Sequence, residues 1–287
     1  MKIVLSRKGF DSAAGAVPNP ILPDGRVLML PIPDRCSRIR YDEILARTDG
    51  YASLYEVIRD LGGRVKPEHG AHLDPDLDAG ALRSRPDGWR PAFGQSGAAL
   101  GHLRREDVGP GDLFLFFGRC RQVVYRHGRV QYADQVSPLH LLFGWLQVGT
   151  VVDLKSGPVP DWLTYHPNVT VNASVSYGFV AADELTLFGE RIGVAGAGQL
   201  GFSQNRVLTD PGDEGGRISR WALPEWFYPD GGRKPLSYHG DPRRWRRGAD
   251  GGARLSAVGR GQEFVLDTVG YPRDDVVAWV RGLLGRA

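Results

Sequence analysis

The chain has 287 residues, 41% hydrophobic and 24% charged, with a formal net charge of +3, a balance that excludes wholesale disorder and a histone-like polycation. Its 39 glycines and 20 prolines argue against a helical bundle and for short strands joined by long, shaped loops. Cys36 and Cys120 are too few for a disulfide framework or a four-cysteine metal site. No apolar run approaches the ~18–20 residues of a membrane span and no signal-peptide pattern opens the chain, so a cytoplasmic protein without membrane contact is expected.

The first predicted element is an apolar strand, Lys2-Ile-Val-Leu-Ser6, followed by a Gly/Pro loop over 8–26 and a second strand at 27–31. Leu54, Val57, Ile58 and Leu61 recur at i, i+3, i+4 and i+7, which predicts a helix over 53–61 closed by Gly62-Gly63. A second short helix is predicted over 95–105. Gly111-Asp112 then launches an apolar strand through Phe117. Residues 139–154 read as another strand, bent at Gly144 and Gly149. A final strand is predicted over 262–266, and a helix from about 273 buries Val276, Val277, Val280 and Leu284. The class is α+β: a strand-rich mixed sheet or small barrel with long Gly/Pro loops and peripheral helices. One domain, 1–287, carries insertions near 75–90 and 209–252.

Several polar residues stand where chemistry is expected. His72-Leu-Asp74-Pro-Asp76 packs one imidazole and two carboxylates into five residues. In an extended chain the three point the same way, toward one divalent cation or one substrate; the alternative is an Asp-Pro turn capped by its carboxylates. Lys8 and Asp11 flank Gly9-Phe10 directly after the first strand, where a lysine can hold an anion and the glycine lets a ligand approach the backbone. Gln95 and His102 lie two helical turns apart, which on a helix lets both face one cleft, one reading a base edge and one acting as acid or base. His239 sits in a polar loop beside Asp241. Alternation on the last strand turns either Gln262 or Glu263 inward, and a buried carboxylate requires a cationic partner. Phe116, Trp145 and Trp221 are candidate stacking walls.

The 36 cations include only five lysines, which reflects either a G+C-rich genome or selection of arginine forks for phosphates and base edges. The densest cluster, Arg243-Arg244-Trp245-Arg246-Arg247, is either a nucleic-acid grip with one stacking ring or a solvated basic loop. Gly196-Ala-Gly198 with Gly201 reproduces the dinucleotide fingerprint only loosely, and neither NAD, haem nor an iron–sulfur cluster is expected. The deaminase pattern His-x-Glu with Pro-Cys-x-x-Cys is absent.

Gly111-Asp-Leu-Phe-Leu-Phe-Phe117 followed by Leu141-Leu-Phe-Gly-Trp-Leu-Gln-Val148 resembles the PUA-like barrels (the ASCH, EVE and YTH groups), which hold a single base in an aromatic pocket. A longer resemblance runs through nearly the whole chain. Arg7-Lys-Gly-Phe-Asp-Ser12, His72-Leu-Asp-Pro-Asp-Leu77, Phe93-Gly-Gln-Ser-Gly97 with His102, Trp221-Ala-Leu-Pro-Glu-Trp-Phe227, Leu236-Ser-Tyr-His239 and Gly261-Gln-Glu-Phe-Val-Leu-Asp267 occur in an order similar to the nucleotide modification associated domain of the third type. The sequence departs from that pattern at Ala16, where a second glycine is expected, and at His166-Pro-Asn168, where a second histidine is expected. The resemblance implies a nucleotide- or base-recognising protein of a DNA or nucleotide modification system, in bacteria or phages; the His72/Asp74/Asp76 run adds to it an acid–base or metal cluster. Its rivals are a non-catalytic reader of a modified base and a structural partner of a larger modification or defence enzyme.

Overall fold

The computed structural model describes residues 1–11, 14–259, 261 and 263–285. The main sheet is mixed. Along its principal path the strands run in the order Glu263–Asp267, Lys2–Arg7, Leu113–Arg126, Leu139–Asp153, Ser176–Ala181, Ala92–Ser96. Lys2–Arg7 lies parallel to Leu113–Arg126, with Ile3 opposite Leu113 and Arg7 opposite Phe117, and antiparallel to Glu263–Asp267. The first and last strands of this path do not pair with each other among the described residues. The sheet is therefore open, which corrects the small-barrel alternative and keeps the mixed sheet.

Five consecutive apolar residues at Leu113–Phe117 are buried because both faces of the sheet are covered. Leu113, Leu115 and Phe117 join Ile3, Leu5, Phe264 and Leu266 against Trp221 and the final helix. Phe114 and Phe116 join Val4 and Val265 on the opposite face, against Phe93, Phe179 and the helix Gly97–Arg105. Removing these side chains from water drives assembly of the sheet, at ~1.5–3 kcal/mol for each large residue fully buried. The long strand Leu139–Asp153 shifts register between its pairings to Phe116 and Phe117, next to Gly144, and again around Gly149, the two positions where bending is expected.

The helices form where their end signals stand. Leu54–Asp60 opens with a reciprocal capping box between Ser53 and Glu56. The last helix, Arg273–Leu283, buries Val276, Val280 and Leu283, while Val277 and Leu284 pack against that core partly exposed.

Two expectations are corrected. Residues 27–31 do not form a strand; the strand lies earlier, at Asn19–Ile21, parallel to Cys120–Gln122. Asn19 holds it there, donating to the carbonyls of Phe10 (3.2 Å) and Arg119 (2.8 Å) and accepting from the amide of Leu30 (2.8 Å). Gln95 is not helical: Ala92–Ser96 pairs with Ser176–Ala181, and the helix begins at Gly97. Within the segment 209–252, Arg220–Leu223 and Trp245–Arg247 flank Ala253–Ser256 as a separate three-stranded sheet.

Candidate functional site

A cavity of about 430 Å³ opens where the first strand, the strand Ala92–Ser96 and the segment after His72 end together. Arg7, Lys8, Asp11, His72, Asp74, Gln95, Ser96 and Asn168 contribute to its wall. The sequence therefore brings Lys8, Asp11, His72, Asp74 and Gln95 to one place from three separate segments, with Glu263 buried behind Lys8.

His72 stands at the centre of the polar side. The two-residue strand Ala71–His72 pairs with Ile32–Pro33, and this pairing carries Asp34 to the imidazole. His72 Nδ1 lies 2.8 Å from Asp34 Oδ2, and Asn168 Nδ2 lies 3.3 Å from His72 Nε2. In the neutral ring this fixes the tautomer: Nδ1–H donates to Asp34, and Nε2 keeps a lone pair that accepts from Asn168. The hydrogen bond from His72 holds the Asp34 carboxyl below the usual carboxylate range, against the opposing effect of burial.

Asp74 completes the cluster. Its side chain is 4% exposed, with Oδ2 3.8 Å from His72 Nε2 and Oδ1 3.3 Å from His166 Nε2. Oδ1 also accepts from the amide of Gly94 at 2.8 Å. Burial pushes the Asp74 carboxyl up, but the His166 hydrogen bond and the charges of His166, Lys8 and His72 outweigh it, and the net direction is down. His166 Nδ1 accepts from the amide of Asn168 (3.3 Å), which places the ring proton on Nε2, toward Asp74. Glycine is required at 94: a Cβ there would stand 2.3 Å from Asn168 Nδ2.

On the opposite wall Lys8 Nζ lies 3.0 Å from Glu263 Oε1 and 4.3 Å from the centre of the Phe93 ring. Gln95 Nε2 donates to the same Glu263 oxygen at 2.7 Å, and Gln95 Oε1 accepts from the amide of Ser96 at 3.0 Å. Glu263 is thus the inward polar residue of the last strand; Gln262 lies outside the described residues. Both ends of the Gln95 amide are engaged inside the protein, so bidentate reading of a base edge by Gln95 is corrected to positioning of Lys8 and Glu263. Ser96, the N-cap of Gly97–Arg105, makes no capping bond with its side chain and faces the cavity.

Other sequence candidates lie elsewhere. Asp76 does not converge with His72 and Asp74, because the strand ends at His72 and the amide of Leu73 turns back to the carbonyl of Ala71 (3.0 Å). The Asp76 carboxylate instead accepts both Arg85 Nη atoms (2.6 and 2.7 Å), the Trp89 indole (3.3 Å) and the Tyr165 hydroxyl. The three-residue metal set is therefore corrected. Among the described residues no three His, Cys, Asp or Glu side chains are grouped to hold a metal ion.

His102 is buried on its helix, 3.0 Å from the Ser237 hydroxyl, and His239 uses Nδ1 on the carbonyl of Ser237 (2.7 Å) and Nε2 on the amide of Val258 (3.1 Å). Neither reaches the cavity wall. The three aromatic walls are also corrected, since hydrophobic packing claims each of them. Phe116 lies in the sheet core, Trp221 meets Phe117 edge-on on the other face, and Trp145 covers Gly198 and donates to the carbonyl of Ala195 (3.1 Å).

In the basic cluster, Arg243 pairs with Asp241 (2.9 Å) and Arg247 with Glu225 (3.0 Å) and Asp230. Arg244 donates to the carbonyl of Ser256 (3.1 Å), and Trp245 is buried with its indole on the carbonyl of His239 (2.7 Å). Trp245 therefore offers no ring for stacking.

Arg7 and Asn168 line the cavity, and Asp34 and His166 stand behind it on His72 and Asp74; none of the four was a site candidate from the sequence. His166 and Asn168 flank a proline that starts the short helix Pro167–Thr170, so the His-Pro-Asn run carried a legible helix-start signal. Asp34 gave no local signal.

Fold and cavity together define a strand-rich α+β protein with an open recess, lined in part by charged and polar side chains, at converging element ends. A family profile described as nucleotide modification associated domain 3 matches residues 2–267, and the chain belongs to that family. Neither a curated protein nor a solved structure gives a significant match. Among the described residues no helix is long and apolar enough to cross a membrane.

Proposed function

We propose that the protein recognises a nucleotide or nucleobase of a modification system in the 430 Å³ cavity and acts on it by acid–base chemistry centred on His72. The observation that carries this reading is the Asp34–His72 pair, with Nδ1 held at 2.8 Å and Nε2 turned toward Asp74 at the cavity wall. A ring fixed in one tautomer by a carboxylate behind it is suited to taking a proton at Nε2, and the neighbouring Asp74 carboxylate stabilises the imidazolium that forms. Arg7, Ser96 and the first turn of Gly97–Arg105 supply positive charge and hydrogen-bond donors for an anionic group at the other end. The cavity volume falls within the ~300–1,000 Å³ of small-ligand sites. The reading includes a single cytoplasmic domain, working beside a larger enzyme of the same modification system.

The test is calorimetric binding of the four 2′-deoxynucleoside monophosphates, together with mass spectrometry of nucleosides after incubation with nucleotides and with DNA. Asp74→Asn keeps size and removes the charge. Turnover is expected to fall by ~10²–10⁴-fold with affinity largely kept. Full turnover in Asp74→Asn would remove this residue from the chemistry, and binding without turnover in the native chain would identify a reader.

A further inference from the structure

The basic run of the sequence opens onto a groove. A groove of about 110 Å³ is walled by Arg217, Arg220, Arg243, Arg244, Arg246 and Arg254, against two carboxylates, Asp210 and Asp213. With Asp241 and Asp250, which pair with Arg243 and Arg254, six arginines face four carboxylates, a local excess of two positive charges. Part of this charge is already answered: Arg243 by Asp241, Arg254 by Asp210 (3.0 Å) and Asp250 (2.8 Å), and Arg217 by Asp213 (3.9 Å). Arg220, Arg244 and Arg246 have no carboxylate partner among the described residues. Arg220 and Arg246 sit on a firm base, because Arg220–Leu223, Ala253–Ser256 and Trp245–Arg247 form one sheet, and Arg244 ends the short turn Pro242–Arg244 that leads into it. Guanidinium groups carried on or beside a sheet and lacking a counter-charge suit phosphate oxygens.

The groove and the cavity are linked along the chain. Ser256 lines the groove and Gly259 lines the cavity, and three residues span at most about 11 Å. Both ends of that connection are pinned by arginines, Arg244 on the carbonyl of Ser256 (3.1 Å) and Arg7 on the carbonyl of Gly259 (3.0 Å). At ~3.4 Å per nucleotide along a stacked strand, 11 Å is about three nucleotides.

We infer that Arg220, Arg244 and Arg246 bind the phosphate backbone of a nucleic-acid strand, and that one nucleotide of this strand enters the cavity. The inference rests on the nucleotide reading of the cavity and extends it: the substrate is a polymer, with free nucleotides only partial ligands. The groove supplies the affinity that a backbone brings, and the cavity, which holds one unit, supplies the chemistry.

The test uses two probes on the full chain, a fluorescent 12-nucleotide single-stranded DNA and the deoxynucleoside monophosphates, titrated over a range of salt. The triple variant Arg220→Ala/Arg244→Ala/Arg246→Ala is expected to weaken oligonucleotide binding at least about tenfold and to lower the salt slope by about 2, at ~0.7 per phosphate contact on a single strand. Its affinity for the monophosphates stays unchanged. Arg244 has a structural bond, so Arg246→Glu serves as the second variant: this side chain is exposed, has no partner among the described residues, and its reversal should weaken the oligonucleotide alone. Unchanged affinity and slope in both variants would overturn the inference. Arginine-dependent oligonucleotide binding with no monophosphate binding would uphold the groove and overturn only the nucleotide reading of the cavity.

Discussion

Asp74 and Asp76 are two residues apart, both have buried side chains, and they have opposite fates. Asp76 lies in a closed cage: Arg85 holds both its oxygens, Trp89 and Tyr165 cap one of them, and the Arg85 guanidinium rests 4.6 Å from the centre of the Trp89 ring. Every strong bond of that carboxylate is made within the protein; the cage ties the 75–90 segment to Tyr165, while the Asp76 backbone pairs with Ala92. Asp74 is held by one backbone amide and faces two imidazoles across a cavity. A buried charge that is fully answered locally serves as scaffold, whereas one answered by groups that can change protonation is suited to chemistry.

Removing Asp76 should have the largest effect on stability. Asp76→Ala strands the Arg85 guanidinium, whose side chain is 9% exposed, and breaking one side of such a pair costs about 3–5 kcal/mol. A denaturant titration should show that loss in the midpoint. Asp74→Asn, which leaves two imidazoles that can be neutral, should shift the midpoint much less. Equal losses at the two positions would erase the contrast between scaffold and site.

Gly94→Ala tests how the two carboxylates are linked. The added methyl group drives against Asn168, and overpacking of this kind costs ~1–3 kcal/mol. The displaced Asn168 also releases His72 Nε2, so monophosphate affinity should change along with stability. A variant as stable as the native chain with unchanged affinity would mean that Asn168 moves aside freely.

Acid should separate the closed from the open histidines by a smaller effect. Burial, with Arg7 and Arg119 adding to it, depresses His140 from the usual 6.5 to about 3; burial depresses His239 to about 4. As the pH falls below about 6.5 the unfolded chain takes up these protons and the folded chain does not. Stability is therefore full above 6.5 and declines as the pH drops toward 4. Asp34 and Asp74, both depressed, retain their contribution until the pH falls below about 4. Tm should be flat from pH 8 to 6.5 and then decrease; a Tm that rises on acidification would contradict the neutral burial of His140 and His239.

What the sequence disclosed follows the range of the forces involved. Lys8 was legible because it follows an apolar strand, and His72 and Asp74 because an imidazole and carboxylates stand within five residues. Alternation left Gln262 and Glu263 as alternatives; Glu263 is buried because its face, shared with Val265, is covered as well as the face of Phe264 and Leu266. Asp34 was hidden because only the pairing of Ile32–Pro33 with Ala71–His72 brings it to His72, across 38 residues. Gln95 was misread because helix periodicity continued through a strand end, and its two bonds to Glu263 and Ser96 depend on tertiary placement. Phe116 and Trp221 were assigned to a ligand wall because composition cannot separate a stacking ring from a core ring. Their burial at 0% and 1% decides for the core.

The most direct measurement is a histidine-selective ¹⁵N NMR titration of the chain with each deoxynucleoside monophosphate. His72 and His166 signals should move together on binding, while those of His140 and His239, closed in the core, stay fixed. Saturable binding that leaves His72 and His166 unmoved, or no binding by any of the four, would contradict the assignment of this cavity to a nucleotide.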